Sequence, residues 1–236
     1  GTFWSAVDDD YFYLAAEILD DDVRRVICPD KLSTAEWVNV IRIAHGLGIP
    51  TTSTIMFGHM ETPRAWARHL LRIRDLQKST GGLTEFVPLP FVHMEAPMYL
   101  RGMARKGPTY RETLLMHAVA RLALHPLVRN IQTSWVKLGA TGAADCLKAG
   151  ANDLGGTLMN ESISRAAGAS HGQEFVPDKV NALVENLGRF AQQRTTLYKE
   201  PAKSRKSKAF NIEPLMPVRN RHAKEYCPVS GEQHSL

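Results

Sequence analysis

Four short stretches of this 236-residue chain concentrate the residue types that hold polar ligands or move protons. The first runs from Thr51 to Thr62 and opens with four consecutive hydroxyl residues, Thr51 to Thr54. Successive side chains of a strand face opposite ways, so one hydroxyl pair must point inward, as hydrogen-bonded structure or as ligand contacts. Met56 follows, and Gly58 then permits close backbone approach just past the strand end. Glu61 stands before a helix, where its charge suits either the helix dipole or a ligand. The second stretch, Glu85 to His93, carries Pro88 and Pro90, which cannot donate to a central ladder. Its C-terminal half is therefore expected to be irregular and to aim His93 toward a site. In the third stretch, Asn130 to Lys137, the polar residues Gln132, Ser134 and Lys137 nearly alternate, with Lys137 a candidate base or anion contact. The fourth, Asn152 to Thr157, sets Asn152 and Asp153 beside Gly155 and Gly156. Two glycines next to an amide and an acid allow a polar ligand to approach closely, and a following helix start favours anionic groups. No G-x-G-x-x-G or Walker pattern is present.

These residues can act together only if the stretches are strands ending on one side of the molecule. The intervening segments read as helices. Ser33 to Glu36 is a capping box, followed by Trp37, Val40, Ile41 and Ala44 on one face and Gly46 as a stop. Thr62 and Pro63 open the next helix, whose inner side carries Trp66, Leu70, Ile73 and Gln77, and Gly81-Gly82 closes it. Thr109 to Glu112 is a second capping box, with Leu114, Leu115, Ala118 and Leu122 expected inside and His125-Pro126 at the end. A short helix is expected around Ala143–Lys148, another near Glu161, and a last one from about Asp178 to Arg194, striped by Val180, Leu183, Val184, Leu187, Phe190 and Ala191. Alternating strands and helices with polar late-strand positions give the expected fold class: α/β, the C-terminal half of a (β/α) TIM-type barrel, with a C-terminal helix and a disordered tail. The expected division is an atypical aromatic and acidic segment (1–14), the partial barrel (15–198), and a basic tail (199–236).

Hydrophobic content of 44% supports a sizeable core. The length falls short of a complete barrel of about 250 residues once the tails are set aside. Net charge is +5, but Lys199, Lys203, Arg205, Lys206 and Lys208 crowd into residues 199–208 against Glu200 alone. Such a run without interleaved aromatics reads as a solvated tail rather than a nucleic-acid surface. Cys28, Cys146 and Cys227 are far apart, which suits a reducing cytoplasm and gives no disulfide framework. No run of about 18 apolar residues exists, so no membrane partner is expected. The first ten residues lack signal-peptide character.

The four stretches also resemble a known family. Thr52 to Thr62, Phe86 to His93, Gln132 to Gly139 and Ala151 to Leu158 are together similar to the C-terminal half of the second radical S-adenosylmethionine module of FO synthase, the 4-hydroxybenzyl transferase of deazaflavin-coenzyme biosynthesis. The resemblance extends from about Ala15 to Tyr198. It implies that Thr54, Met56, Gly58 and Glu61 help hold S-adenosylmethionine, although Thr54 and Met56 stand where many radical enzymes have Gly and Ile. It further implies that His93, Gln132, Lys137, Asn152 and Asp153 line a substrate chamber. The family reaction starts at a 4Fe-4S cluster that cleaves S-adenosylmethionine. The radical then breaks tyrosine, whose 4-hydroxybenzyl part joins 5-amino-6-(ribitylamino)uracil. The family's C-x-x-x-C-x-x-C run is absent here, and three widely spaced cysteines do not replace it. The expectation is thus an enzyme fragment, inactive alone, whose partner is the missing N-terminal half-barrel. The alternative is a non-catalytic binding or assembly protein that reuses the half-barrel, with a dimer as one form it would take.

Overall fold

The computed structural model describes residues 2–5, 15–156, 163–171, 174–211, 213 and 215. The rest of the aromatic opening, Thr157, Glu161, Cys227 and the end of the tail lie outside the described residues. In chain order the elements are β1 (Thr2–Ser5), α1 (Asp21–Ile27), α2 (Thr34–Gly46), β2 (Thr51–Phe57), α3 (Pro63–Thr80), β3 (Leu83–Pro90), α4 (Pro97–Leu100), α5 (Tyr110–Leu124), α6 (Trp135–Lys148), β4 (Asp153–Gly156), α7 (Ile163–Ala166), α8 (Pro177–Glu185), β5 (Ala191–Arg194) and α9 (Lys203–Phe210). Local sequence explains the best-defined starts. Ser33 and Thr109 form complete capping boxes with Glu36 and Glu112, Thr62 caps α3 ahead of Pro63, and Gly81 ends α3 in the left-handed conformation.

All strand pairing is parallel. β2 pairs with β3, and single bridges join Phe86 to Ile131 and Gln132 to Asp153. β4, β1 and β5 form a second small sheet, with β1 in the middle. Pro88 and Pro90 do not disturb β2, which stays in register with β3 as far as Phe57 opposite Pro90. The reason is strand period: the Phe86 N–H bonds outward to Asn130 and the Phe91 N–H inward to Phe57. The even positions 88 and 90 would therefore donate on the side away from β2. The irregularity is one-sided, and pairing toward residues 131–132 stops after Phe86.

Among the described residues two large apolar clusters carry most of the packing, with a smaller one of Ile18, Val23 and Ala65. One gathers Trp37, Ile41, Ile55, Phe57, Leu70, Ile73, Phe86, Ala120 and Ile131 between β2–β3 and helices α2, α3 and α5. The other gathers Trp135, Ala143, Leu147, Leu154, Phe175, Val180 and Val184 around α6, β4 and α8.

Several expectations are corrected. The stretch 130–137 is not a full strand, because α6 begins at Trp135 and absorbs Lys137, bending at Gly139 where φ is +68°. The inner face of α5 carries Met116, His117, Ala120 and Leu124, while Leu115 and Leu122 are exposed. Leucines surround that helix, so their spacing did not single out one face. The last striped helix stops at Glu185, and after Gly188 the chain becomes β5, leaving Phe190 exposed. Residues 203–210 are helical rather than disordered, with Ala209 set into the second cluster. Thr2–Ser5, expected to belong to an atypical segment outside the barrel, forms a strand paired with β4 and β5. No helix among the described residues is long and apolar enough to cross a membrane.

His117 gives the fold a pH sensitivity. Its Nδ1 lies 2.8 Å from the Thr113 carbonyl and so carries the proton. Burial drives its pKa down to about 4. The unfolded chain takes up this proton from pH 6.5 downward and the folded chain does not, so stability falls by up to about 1.4 kcal/mol per pH unit. His117→Gln should remove that loss between pH 6.5 and 4. Urea unfolding of both chains across this range checks it, and parallel pH profiles would contradict it.

Candidate functional site

The turn after β2 is built on Glu61. Its carboxylate accepts from the Gly58 N–H, from the His59 N–H at 2.9 Å and from the Trp66 indole at 2.7 Å. His59 is fully buried, with Nδ1 2.9 Å from the same carboxylate and Nε2 3.1 Å from the Met56 carbonyl. Burial alone would raise the Glu61 pKa, but the contacts from His59, Gly58 and Trp66 outweigh it and bring it down to about 2. The helix cap itself is Thr62. Thr54 accepts from the Ala16 N–H at 3.2 Å, and Met56 at the strand end is half-buried. Gly58 sits at φ +94°, and a Cβ there would lie 2.1 Å from Pro108. The turn is therefore pressed directly against the segment 105–108, which also donates from Arg105 N–H to the His59 carbonyl.

Beyond that segment lies a cavity of about 260 Å³ at the C-terminal end of β3. His93 and Lys137 both line it, together with Lys106, Tyr110, Thr113 and His171. His93 is held edge-on to Tyr99, with ring centroids 4.7 Å apart. Lys137 donates to Ser164 at 3.2 Å. The Glu95 N–H bonds to the Ala167 carbonyl and ties the loop after β3 to the one carrying His171. Lys106 and His171 gave no sequence signal: both lie in loops without periodicity and meet only through tertiary packing.

Gln132, Asn152 and Asp153 lie elsewhere. Asn152 accepts from Arg121 at 2.6 Å and from the Ile131 N–H. Asp153 and Glu85, both buried, are bridged by Arg194, whose Nε is 2.5 Å from Asp153 and whose other arm is 3.2 Å from Glu85. The Tyr198 hydroxyl reaches Glu85 at 2.7 Å and Asp153 at 2.5 Å, and its ring lies 4.0 Å beneath the guanidinium. Gln132 donates to Glu85 at 3.0 Å. Burial raises both carboxyl pKa values, with Asp153's charge adding to the rise at Glu85 and Arg194 opposing both. Two carboxylates and one guanidinium therefore favour retaining a proton. Five residues of strand, roughly 16 Å, separate Glu85 from Pro90 at the cavity. The structure thus brings His93 and Lys137 together and sets Gln132 and Asp153 in a separate ionic cluster. Arg194 and Tyr198, its other members, lie at the end of the last apolar stripe, where periodicity gave them no role.

The described cysteines do not fit an iron–sulfur cluster. Cys146 is fully buried among apolar side chains, which pushes its thiol up to about 11. Cys28 is half-buried at the end of α1, and burial raises its pKa as well. Among the described residues no group of three His, Cys, Asp or Glu side chains could hold a metal.

The sequence pattern of the family described as "CofH/MqnC C-terminal region" matches residues 80–206. A Methanopyrus kandleri protein named 5-amino-6-(D-ribitylamino)uracil–L-tyrosine 4-hydroxyphenyl transferase is 56% identical over 189 residues, 80% of this chain and 51% of that protein. A Methanothermobacter thermautotrophicus protein of the same name is 53% identical over 186 residues, 79% of this chain and 51% of that protein. An FO synthase of Streptomyces avermitilis is 52% identical over 208 residues, 86% of this chain and 24% of that protein. The chain spans about half the length of the first two relatives and about a quarter of the third.

Proposed function

Because the chain belongs to the CofH/MqnC C-terminal-region family, we propose that it is the substrate-side part of a tyrosine-to-aminouracil transferase. The whole enzyme would transfer the 4-hydroxybenzyl group of tyrosine to 5-amino-6-(ribitylamino)uracil. In this reading β2, β3, residues 131–132 and β4 are the later strands of a (β/α) barrel, and the remaining length of the relatives contributes the earlier ones. That other part would hold the 4Fe-4S cluster, which the described cysteines do not fit and for which the sequence has no C-x-x-x-C-x-x-C run. S-adenosylmethionine, when bound, supplies the radical that breaks tyrosine.

The chain's own residues would bind and orient. The edge formed by Thr54, Met56 and Gly58 would face S-adenosylmethionine, with Glu61 fixing the shape of the turn. Glu61 itself has its oxygens occupied by Gly58, His59 and Trp66, so its role is positioning. His93 and Lys137 would meet the substrate, while Gln132, Asn152 and Asp153 would hold the strands that carry the chamber. The observation that carries this reading is the cavity at the end of β3, where His93 and Lys137 converge beside the turn at 58–61. Ligands of parallel α/β folds sit at such strand ends.

Reconstitution tests it. The chain is mixed with a polypeptide covering the N-terminal half of the Methanopyrus relative, the cluster is rebuilt, and tyrosine, the aminouracil, S-adenosylmethionine and a reductant are supplied. Mass spectrometry should find the coupled product only when both polypeptides are present. Stable association of the two parts without product would overturn the proposal.

A further inference from the structure

The sheet of β4, β1 and β5 is completed by a strand that fits it incompletely. β1 supplies four residues between β4 and β5 and runs parallel to both. Against β5 its register is unbroken, from Thr2 opposite Ala191 to Ser5 opposite Arg194. Against β4 it slips. Phe3 lies opposite Asp153 and Ser5 opposite Gly156, so two steps along β1 face three along β4. The strands on either side have ties of their own. Arg194 reaches from β5 to Asp153 on β4 and to Glu85 on β3, and Ala191 packs on the second apolar cluster. These contacts keep β4 and β5 apart by the width of one strand, with backbone groups of both facing the gap.

Strand addition to such a gap draws affinity from main-chain hydrogen bonds and selectivity from side chains at alternate positions. Gln193 shows which side chain the gap asks for. It shares a strand face with Ala191, away from the face of Arg194, and is only 6% exposed. Neither end of its amide has a hydrogen-bond partner among the described residues. A buried amide left this way is unfavourable, and native folds keep few of them. The residue opposite it in the register is Trp4. A strand made for this position would instead bring an amide or a hydroxyl, which can both donate and accept.

We propose that the gap between β4 and β5 is a docking slot for one parallel strand of the complementary N-terminal part, and that Thr2–Ser5 fills it as a placeholder which the incoming strand displaces. The incoming strand carries a polar side chain opposite Gln193 and pairs with Asp153–Gly156 without a slip. The choice of partner rests on the transferase reading above, in which about half the length of the Methanopyrus and Methanothermobacter relatives lies outside the matched region. The slot itself rests on the register of β1 and on Gln193.

Backbone hydrogen exchange, read by mass spectrometry, compares the chain alone with the chain mixed with a polypeptide covering the N-terminal half of the Methanopyrus relative. On mixing, residues 2–5 should lose protection while residues 153–156 and 191–194 keep or gain it. Trp4→Pro puts a residue into β1 that a central strand cannot hold. It should tighten partner binding about tenfold, as expected if the slot of the parent chain stands open roughly a tenth of the time. Gln193→Leu should raise the urea midpoint of the chain alone and weaken partner binding about tenfold, the effect of a lost hydrogen bond to a buried group. Binding with residues 2–5 still protected would overturn the slot even if the coupled product forms. Displacement without product would remove the transferase reading and leave the slot standing. No association, or a chain that sediments as a dimer and excludes the partner, would overturn the proposal. An unchanged affinity in both variants would do the same.

Discussion

Arg194→Met is expected to destabilise the chain by about 3–5 kcal/mol, the cost of removing one partner from a buried ionic group. Among the described residues the guanidinium is the only cation hydrogen-bonded to Glu85 and Asp153, and it also lies over the Tyr198 ring. Without it, two buried carboxyls compete for the Tyr198 hydroxyl and the Gln132 amide. Domains of ordinary stability have about 5–15 kcal/mol in total, so the variant should lose much of its cooperative unfolding. Arg194→Lys should recover little, because a single ammonium cannot reproduce the two-sided fork. Urea denaturation followed by circular dichroism reads the effect. A methionine variant within about 1 kcal/mol of the parent chain would mean the cluster is not what ties β5 to β3 and β4.

The second large effect belongs to Gly58→Ala. The left-handed backbone at φ +94° is unfavourable for alanine by about 1–2 kcal/mol, and the new methyl would overlap Pro108. Overpacking of this kind adds about 1–3 kcal/mol, giving roughly 2–4 kcal/mol in total. Pro108 cannot yield without moving Lys106 and Gly107, so the variant should also change the cavity. The expected readout is a lowered urea midpoint together with shifted resonances at His93. Loss of stability with an unchanged His93 environment would show that the turn and the cavity are mechanically separate.

Much of this arrangement could be read in the sequence because it is local. Ser33 with Glu36, Thr109 with Glu112, and Thr62 with Pro63 specify helix starts within four residues, and the structure follows them. β2 and β3 were equally legible as strands bounded by turn residues. What could not be read depends on partners distant in sequence. Lys137 looked like a strand residue because Gln132 and Ser134 nearly alternate with it, yet Trp135 already belongs to a helix that packs on Phe175. Arg194 seemed to close a helical stripe, and only its meeting with Glu85, 109 residues away, gives it a role. Gln132 and Asp153 were chosen by residue type, which does not say which end of a strand a side chain serves.

The prolines of β3 bear on how such a chamber could change over time. The hollow exists because Pro88 and Pro90 have no N–H to offer on the side away from β2, so the neighbouring chain leaves the sheet after residue 132 and turns into α6. Its opening is thus fixed by the backbone, while the side chains that line it come from loops and from the first turns of α5 and α6. Substitutions at those lining positions can alter what the chamber accepts without closing it. Ligand preference could drift among descendants of this chain while the space that receives the ligand stays the same.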